Sequence, residues 1–279
     1  MTNNYTGSPP NYTKKKWAIW GINIKFGFNK ILGRAMGSLV LPAQDINFYQ
    51  EINAFNSSCD SFNAEINTPY VTTYDGAKLE TCEFIHSSQK DKRIDEQTYM
   101  ISYVGNGMCY QSDLIEIKES LSTLNCNVIG FNFRGVAGSS GRATSKEDLL
   151  TDSITQVQRL LDKGVNPSKI VLKGHSLGAS IATLTAAHFH ENGVKINVFN
   201  GRSFSLLSDV PIGLTKEHLG PISSAILAPI IKFALWLTNW EIDAVSAYQS
   251  IPEENRDYLV VLGKNNQSDP VITTYGSLH

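Results

Sequence analysis

The chain has 279 residues, of which 42% are hydrophobic and 18% charged, with a formal net charge of −2. That composition excludes a disordered chain and allows one large core, or one core with a small extra module. So slight a charge excludes a general affinity for nucleic acid or for acidic partners. The four cysteines (Cys59, Cys82, Cys109, Cys126) form no CxxC pair and no metal-type spacing with the histidines; free thiols, no metal and a reducing compartment are expected. The opening MTNNYTGSPPNYT is polar, so the expected address is cytoplasmic, or export without a cleavable secretory signal.

Residues 1–44 hold no Asp or Glu but carry Lys14, Lys15, Lys16, Lys25, Lys30 and Arg34, with Trp17, Trp20, Ile24, Phe28 and Ile31 at helical spacing. A basic amphipathic segment over residues 14–36 suits an anionic membrane surface. It also suits a helix packed on the body, although Gly21, Gly27 and Gly33 disfavour a long one. Residues 1–66 are thus set apart as an N-terminal extension from a main domain over 67–279.

From residue 66 strands and helices alternate. Residues 68–74 and 78–86 flank an Asp75-Gly76 turn and predict an antiparallel hairpin. Residues 98–104 and 127–133 read as buried strands, separated by a helix marked by Leu114, Ile117, Leu121 and Leu124. Leu150, Ile154, Val157 and Leu161 mark the next helix, with Ser145 and Asp148 spaced as a capping pair. A short strand at 170–172, an apolar helix at 177–190 and strands at 196–199 and 258–262 follow. The alternation predicts an α/β fold, a mostly parallel sheet with helices on both faces. Residues 203–250 are long for a crossover and predict a helical cap insert; within them the apolar stretch 221–240, interrupted by Pro229 and Lys232, reads as a buried or lid-like helical hairpin rather than a membrane span.

One motif carries chemistry. Lys169 to Ser180 reads strand, Gly174-His175-Ser176-Leu177-Gly178, helix. A serine hydroxyl is a poor nucleophile unless it stands exposed beside a base, and a tight strand-to-helix turn lifts it clear. Ser176 is the candidate nucleophile, and the N–H of Leu177, at the helix start, points where an oxyanion would form. A second donor is expected where the strand ending at Val104 runs into Gly105-Asn106-Gly107-Met108; Asn106 is the choice, with Gly107 or Met108 next.

Taken together, VGNGM, NVIGFNFRGVAGSSG, EDLLTDSITQVQRLL, KIVLKGHSLGAS and SDPVI resemble, in order and spacing, the α/β-hydrolase superfamily over residues 68–279. The set is most similar to the branch with HGN, DYxGxGxSxG and GxSxG motifs, which includes protein depalmitoylases, and also resembles α/β-hydrolase effectors of intracellular bacteria such as Legionella. Val104 stands where many relatives have histidine, and the resemblance implies that Arg134, Gly135 and Asp152 are scaffold.

A triad on such a fold runs Ser, acid, His along the chain. The acid should follow a late strand, and the resemblance places it at Asp269, with Asp209 in reserve. Among the histidines, His175 flanks the nucleophile and diverges from it. His188 lies about 18 Å along the helix from Ser176 and His190 farther, while His86 ends an antiparallel strand at the wrong sheet edge. His218 and His279 remain. His279 follows Asp269 in the correct order at a short interval; it serves as base, or the chain ends before the true base, or the protein is inactive. The expected activity is hydrolysis of an acyl ester or thioester of small-molecule or lipid type, with no cofactor. The alternatives are an inactive binding protein on this fold and a peptidase.

Overall fold

The structure is a computed structural model and describes residues 5–6, 27–62, 64–259, 272 and 277–278. Its scaffold is a nine-stranded mixed sheet. In chain order, β1 (Tyr5–Thr6), α1 (Gly27–Val40), α2 (Tyr49–Ser58), β2 (Ala64–Asn67), β3 (Tyr70–Thr72) and β4 (Lys78–His86) precede β5 (Tyr99–Tyr103), α3 (Leu114–Leu124) and β6 (Asn127–Phe131). Then come α4 (Lys146–Asp162), β7 (Ile170–His175), α5 (Leu177–Glu191), β8 (Asn197–Gly201), α6 (Asp209–Leu219), α7 (Pro221–Leu237), α8 (Ala244–Ser250) and β9 (Arg256–Leu259). The strand order is β1-β3-β4-β6-β5-β7-β8-β9, with β2 also paired to β4. From β6 onward every neighbour is parallel, while β4 runs antiparallel to β2, β3 and β6. β5 and β6 are buried at every position, which is why YMISY and NVIGF lack the alternation of a half-exposed strand.

The sheet separates two apolar layers. On one face Leu149, Val157 and Leu160 of α4 and Ile181, Ala182 and Phe189 of α5 pack against the strands. On the other, Phe55, Phe62, Phe84 and Tyr110 close on Ile117 and Leu121 of α3, with Cys82 and Cys126 buried among them. Burial pushes the Cys82 thiol far above its ordinary range and that of Cys126 up to about 11, so both sit as inert thiols.

Sequence and structure part at identifiable places. β2 was not expected: AEIN is polar, and its pairing with β4 makes it a strand. β8 starts one residue and ends two residues later than predicted, and residues 260–262 of the last predicted strand lie outside the described residues. Ser145 makes no capping bond; Asp148 instead accepts from the N–H (2.7 Å) and Oγ1 (2.9 Å) of Thr144, while its second oxygen accepts from Arg134. Residues 221–237 are one helix, and the hairpin is made by α6 and α7 around Gly220, whose φ of +85° suits a residue without Cβ. Among the described residues no helix is long and apolar enough to cross a membrane.

The glycines of α1 also act differently from expectation. A Cβ on Gly33 would lie 2.5 Å from the Thr144 carbonyl oxygen, and one on Gly37 2.6 Å from that of Ala143. They form a flat edge on which α1 presses against the loop after β6, and Trp240 donates its indole N–H to the Gly33 carbonyl at 3.0 Å. Of residues 14–36, those at 14–26 lie outside the described residues.

Candidate active site

β7 drives straight into Ser176, which heads α5 with φ 53° and ψ −122°. A non-glycine residue in that region is strained and persists only where its surroundings over-determine it. Here they do. The Ser176 N–H donates to the Gly201 carbonyl at the end of β8 (2.9 Å). A Cβ on Gly174 would lie 2.4 Å from Cα of Ala179, and one on Gly178 2.4 Å from the carbonyl oxygens of both Tyr103 and Val104. The two glycines let strand, turn and helix approach more closely than side chains allow, and Ser176 is left half-buried at the carboxyl end of the sheet. Leu177 occupies the first turn of α5, where backbone N–H groups have no intrahelical acceptor and the helix dipole favours negative charge.

The loop leaving β5 lies directly alongside. A Cβ on Gly105 would be 3.8 Å from Cβ of Ser176. Met108 donates its N–H to the Gly105 carbonyl (3.2 Å), and Ala43, just after α1, donates its N–H to the Asn106 carbonyl (3.2 Å). Ser176, Leu177 and Asn106 share one cavity of about 420 Å3. Three helices build its walls: α1 through Met36, Leu39 and Val40; α6 through Val210, Pro211 and Leu214; α7 through Ile230, Ile231, Ala234 and Leu235. Each set recurs at intervals of about one turn, so each helix turns one edge inward. Phe204, Leu207 and Ile272 complete the lining, and apart from Ser176 and Asn106 every described lining side chain is apolar.

The cap continues that surface outward. Ile226, Ile230, Phe233 and Trp236 of α7 and Ile31 and Leu39 of α1 are all exposed. The cap is tied to the body at its far end, where Lys146 Nζ donates to the Glu241 carbonyl (2.7 Å) and Glu241 accepts from the Ser208 N–H (3.1 Å).

Asp269 and His279 lie outside the described residues, but some of their neighbours are seen. Ile272 is buried and lines the cavity. Leu278 donates its N–H to the Ser203 carbonyl (3.1 Å), and Ser277 bridges to Phe204 in the cavity wall. Asp209 heads α6; burial raises its pKa, with Lys232 of α7 pulling the other way. Among the other histidines, His86 is buried at the end of β4 with Nδ1 2.8 Å from Ser88 Oγ, and His190 Nε2 lies 2.9 Å from the Ile196 carbonyl. His188 is held below its ordinary pKa by burial, and His218 is exposed in the last turn of α6, about 12 Å along the helix from Val210. Arg134 is a hub: it gives hydrogen bonds to Asp152 from its backbone N–H (2.8 Å), Nε (2.8 Å) and Nη2 (2.7 Å), and Nη1 reaches Asp75 (2.7 Å) and Asp148 (3.2 Å). It joins the β3–β4 turn to α4, away from the cavity.

A mostly parallel sheet flanked by helices, with a serine on a strained strand-to-helix turn at its carboxyl edge, defines the class: the chain has the α/β-hydrolase fold. More particularly, residues 113–204, which contain Ser176, match the family described as Lipase (class 3). The alpha-beta hydrolase of Vibrio vulnificus has a similar fold, at TM-score 0.59 and 18% identity, over 79% of this chain and 72% of that one. The multifunctional-autoprocessing repeats-in-toxin proteins of Vibrio cholerae serotype O1 and Vibrio vulnificus are each 24% identical over 151 residues. That match covers 54% of this chain but 3% of either toxin.

Proposed function

We propose that the chain is a serine hydrolase that cleaves a carboxylic ester or thioester with an acyl chain, through an acyl-enzyme. The observation that carries the reading is Ser176 opening, on a strained turn, into a cavity whose other described lining side chains, Asn106 apart, are apolar. Ser176 Oγ gives its proton to a histidine and bonds to the acyl carbon; the C–O or C–S bond then breaks, and the leaving group takes that proton. Water, deprotonated by the same histidine, next bonds to the acyl carbon; the acyl–Oγ bond breaks, Ser176 Oγ takes the proton back, and the carboxylic acid leaves. The N–H groups of Leu177 and of Asn106 or Gly107 hold the oxyanion, since that of Met108 already serves the Gly105 carbonyl. His279 oriented by Asp269 is the assigned proton carrier; its support is the company kept by Ile272, Ser277 and Leu278.

The membrane surface belongs to the same reading. Residues 14–36 bring basic charge without acid, and the exposed aliphatic and aromatic side chains of α1 and α7 surround the cavity that an acyl chain would enter.

A fluorophosphonate probe and a p-nitrophenyl ester series of rising chain length test this. Wild type should be labelled at Ser176 and should prefer medium or long acyl chains; Ser176→Ala should lose labelling and about 10⁴-fold or more of the turnover. Equal labelling of the variant removes Ser176 from the role. Absence of ester turnover in a labelled protein, with cleavage of peptide amides, turns the assignment to a peptidase. Absence of both labelling and turnover leaves a binding protein on this fold.

A further inference from the structure

The segment from α1 to Asp45 does two things at once. Its helix supplies Met36, Leu39 and Val40 to the cavity, and the next residue but two, Ala43, donates to the carbonyl of the residue assigned to the oxyanion loop. Resting on the serine-hydrolase reading, we propose that this N-terminal strap positions the oxyanion loop, and that Gln44 is the positioning residue that holds the strap.

The loop needs holding. Gly105 and Gly107 flank an exposed Asn106, and glycine gives a free backbone more conformations to lose than any other residue; ordering each residue costs about 1–2 kcal/mol. A trans peptide unit is planar, with its carbonyl and its N–H pointing opposite ways. Fixing a carbonyl therefore aims the amide of the following residue. The bond from Met108 N–H to the Gly105 carbonyl aims the Asn106 N–H, and the bond from Ala43 N–H to the Asn106 carbonyl aims the Gly107 N–H. The first clamp lies within the loop. The second comes from more than sixty residues away in sequence, so it exists only when the strap is seated.

Gln44 seats it. Its Oε1 accepts from the Ala143 N–H at 2.7 Å, and its Nε2 donates to the carbonyls of Gly37 (3.3 Å) and Leu41 (3.4 Å). One half-buried amide thus joins the end of α1, the turn carrying Ala43 and the loop after β6. The fit is close: a Cβ on Gly135 would lie 3.0 Å from Gln44 Oε1. Ala43 itself is fully buried. Arg142 adds outer contacts to Asp45 (2.8 Å) and Ser38 (2.6 Å), but these are solvated and of the weak kind. Alone among these side chains, Gln44 is both half-buried and one residue from the donor.

An aligned oxyanion donor acts in the transition state and not on the bound ester, so its misalignment lowers kcat and leaves KM in place. A lost pocket wall does the opposite. Gln44→Ala should lower kcat on p-nitrophenyl acetate, a substrate too short to need the acyl walls, by about 10- to 100-fold. KM should stay within about twofold, and the rate of fluorophosphonate labelling at Ser176 should fall in parallel. Replacing Ala43 by lactic acid puts an ester oxygen where the N–H stands without changing a side chain; it should reproduce the kcat loss in a chain whose thermal melt matches wild type. An unchanged kcat in this second protein overturns the inference, as does a change in KM alone in either. Failure of wild type to label at Ser176 would instead overturn the hydrolase reading, so the two are told apart by the wild-type lane.

Discussion

Ser176 holds a backbone conformation that costs about 1–3 kcal/mol for a residue with a side chain, and the glycines beside it show where that cost is met. Gly178 sits in the first turn of α5, where alanine would gain up to about 1 kcal/mol of helix propensity. Yet its Cβ would fall 2.4 Å from two carbonyl oxygens at the end of β5, and neither can retreat without tearing a strand buried on both faces. Overpacking wins. Gly178→Ala should lose about 2 kcal/mol or more in urea unfolding and, on the proposed serine-hydrolase reading, most of the p-nitrophenyl ester turnover. Retention of wild-type stability would mean that α5 and β5 can separate without consequence. At this scale the strained turn at Ser176 was legible, because such turns need small neighbours at fixed offsets and those are written as letters. The Asp148 cap was not legible, because its partner was decided by Arg134, fourteen residues away in sequence and adjacent only in the fold.

At the scale of elements the sequence spoke clearly where burial was two-sided and less clearly where it was not. β5 and β6 were found as apolar runs, while β2, four residues on one edge of β4, carries no such signal. The apolar stretch in the cap was recognised as helical, but nothing in it distinguishes a buried helix from one that keeps its greasy side outward. The structure makes the distinction: Phe233 is 59% and Trp236 61% exposed, their rings 5.8 Å apart. Since water already reaches them, Phe233→Ser with Trp236→Ser should leave the melting temperature within about two degrees of wild type. The same pair should lower co-sedimentation with anionic phospholipid vesicles several-fold, about 1 kcal/mol or more per ring removed from the bilayer interface. Unaltered sedimentation would assign the outer face of α7 to something other than lipid.

Across the whole molecule, the alternation of strand and helix was sufficient for the architecture, since a parallel sheet covered on both faces is what such a series can build. The site was legible in halves. Ser176, Leu177 and Asn106 were named from local pattern and meet at one cavity, whereas the part played by α1 was hidden, because glycines that look like helix breakers turn out to be the surface on which the helix rests. Asp269 and His279 rest on chain order and resemblance.

The sheet that divides the interior also isolates Cys82 and Cys126 in the layer under α3, as protonated thiols shut away from water. An aromatic disulfide reagent can reach them only when that layer comes apart, so their rate of modification in native buffer is a stopwatch for scaffold opening. Fluorophosphonate capture at Ser176 is a separate stopwatch for the working pocket. A substitution that slows the second without hastening the first has damaged chemistry and spared folding, which gives each variant named above that keeps Ser176 its own internal control.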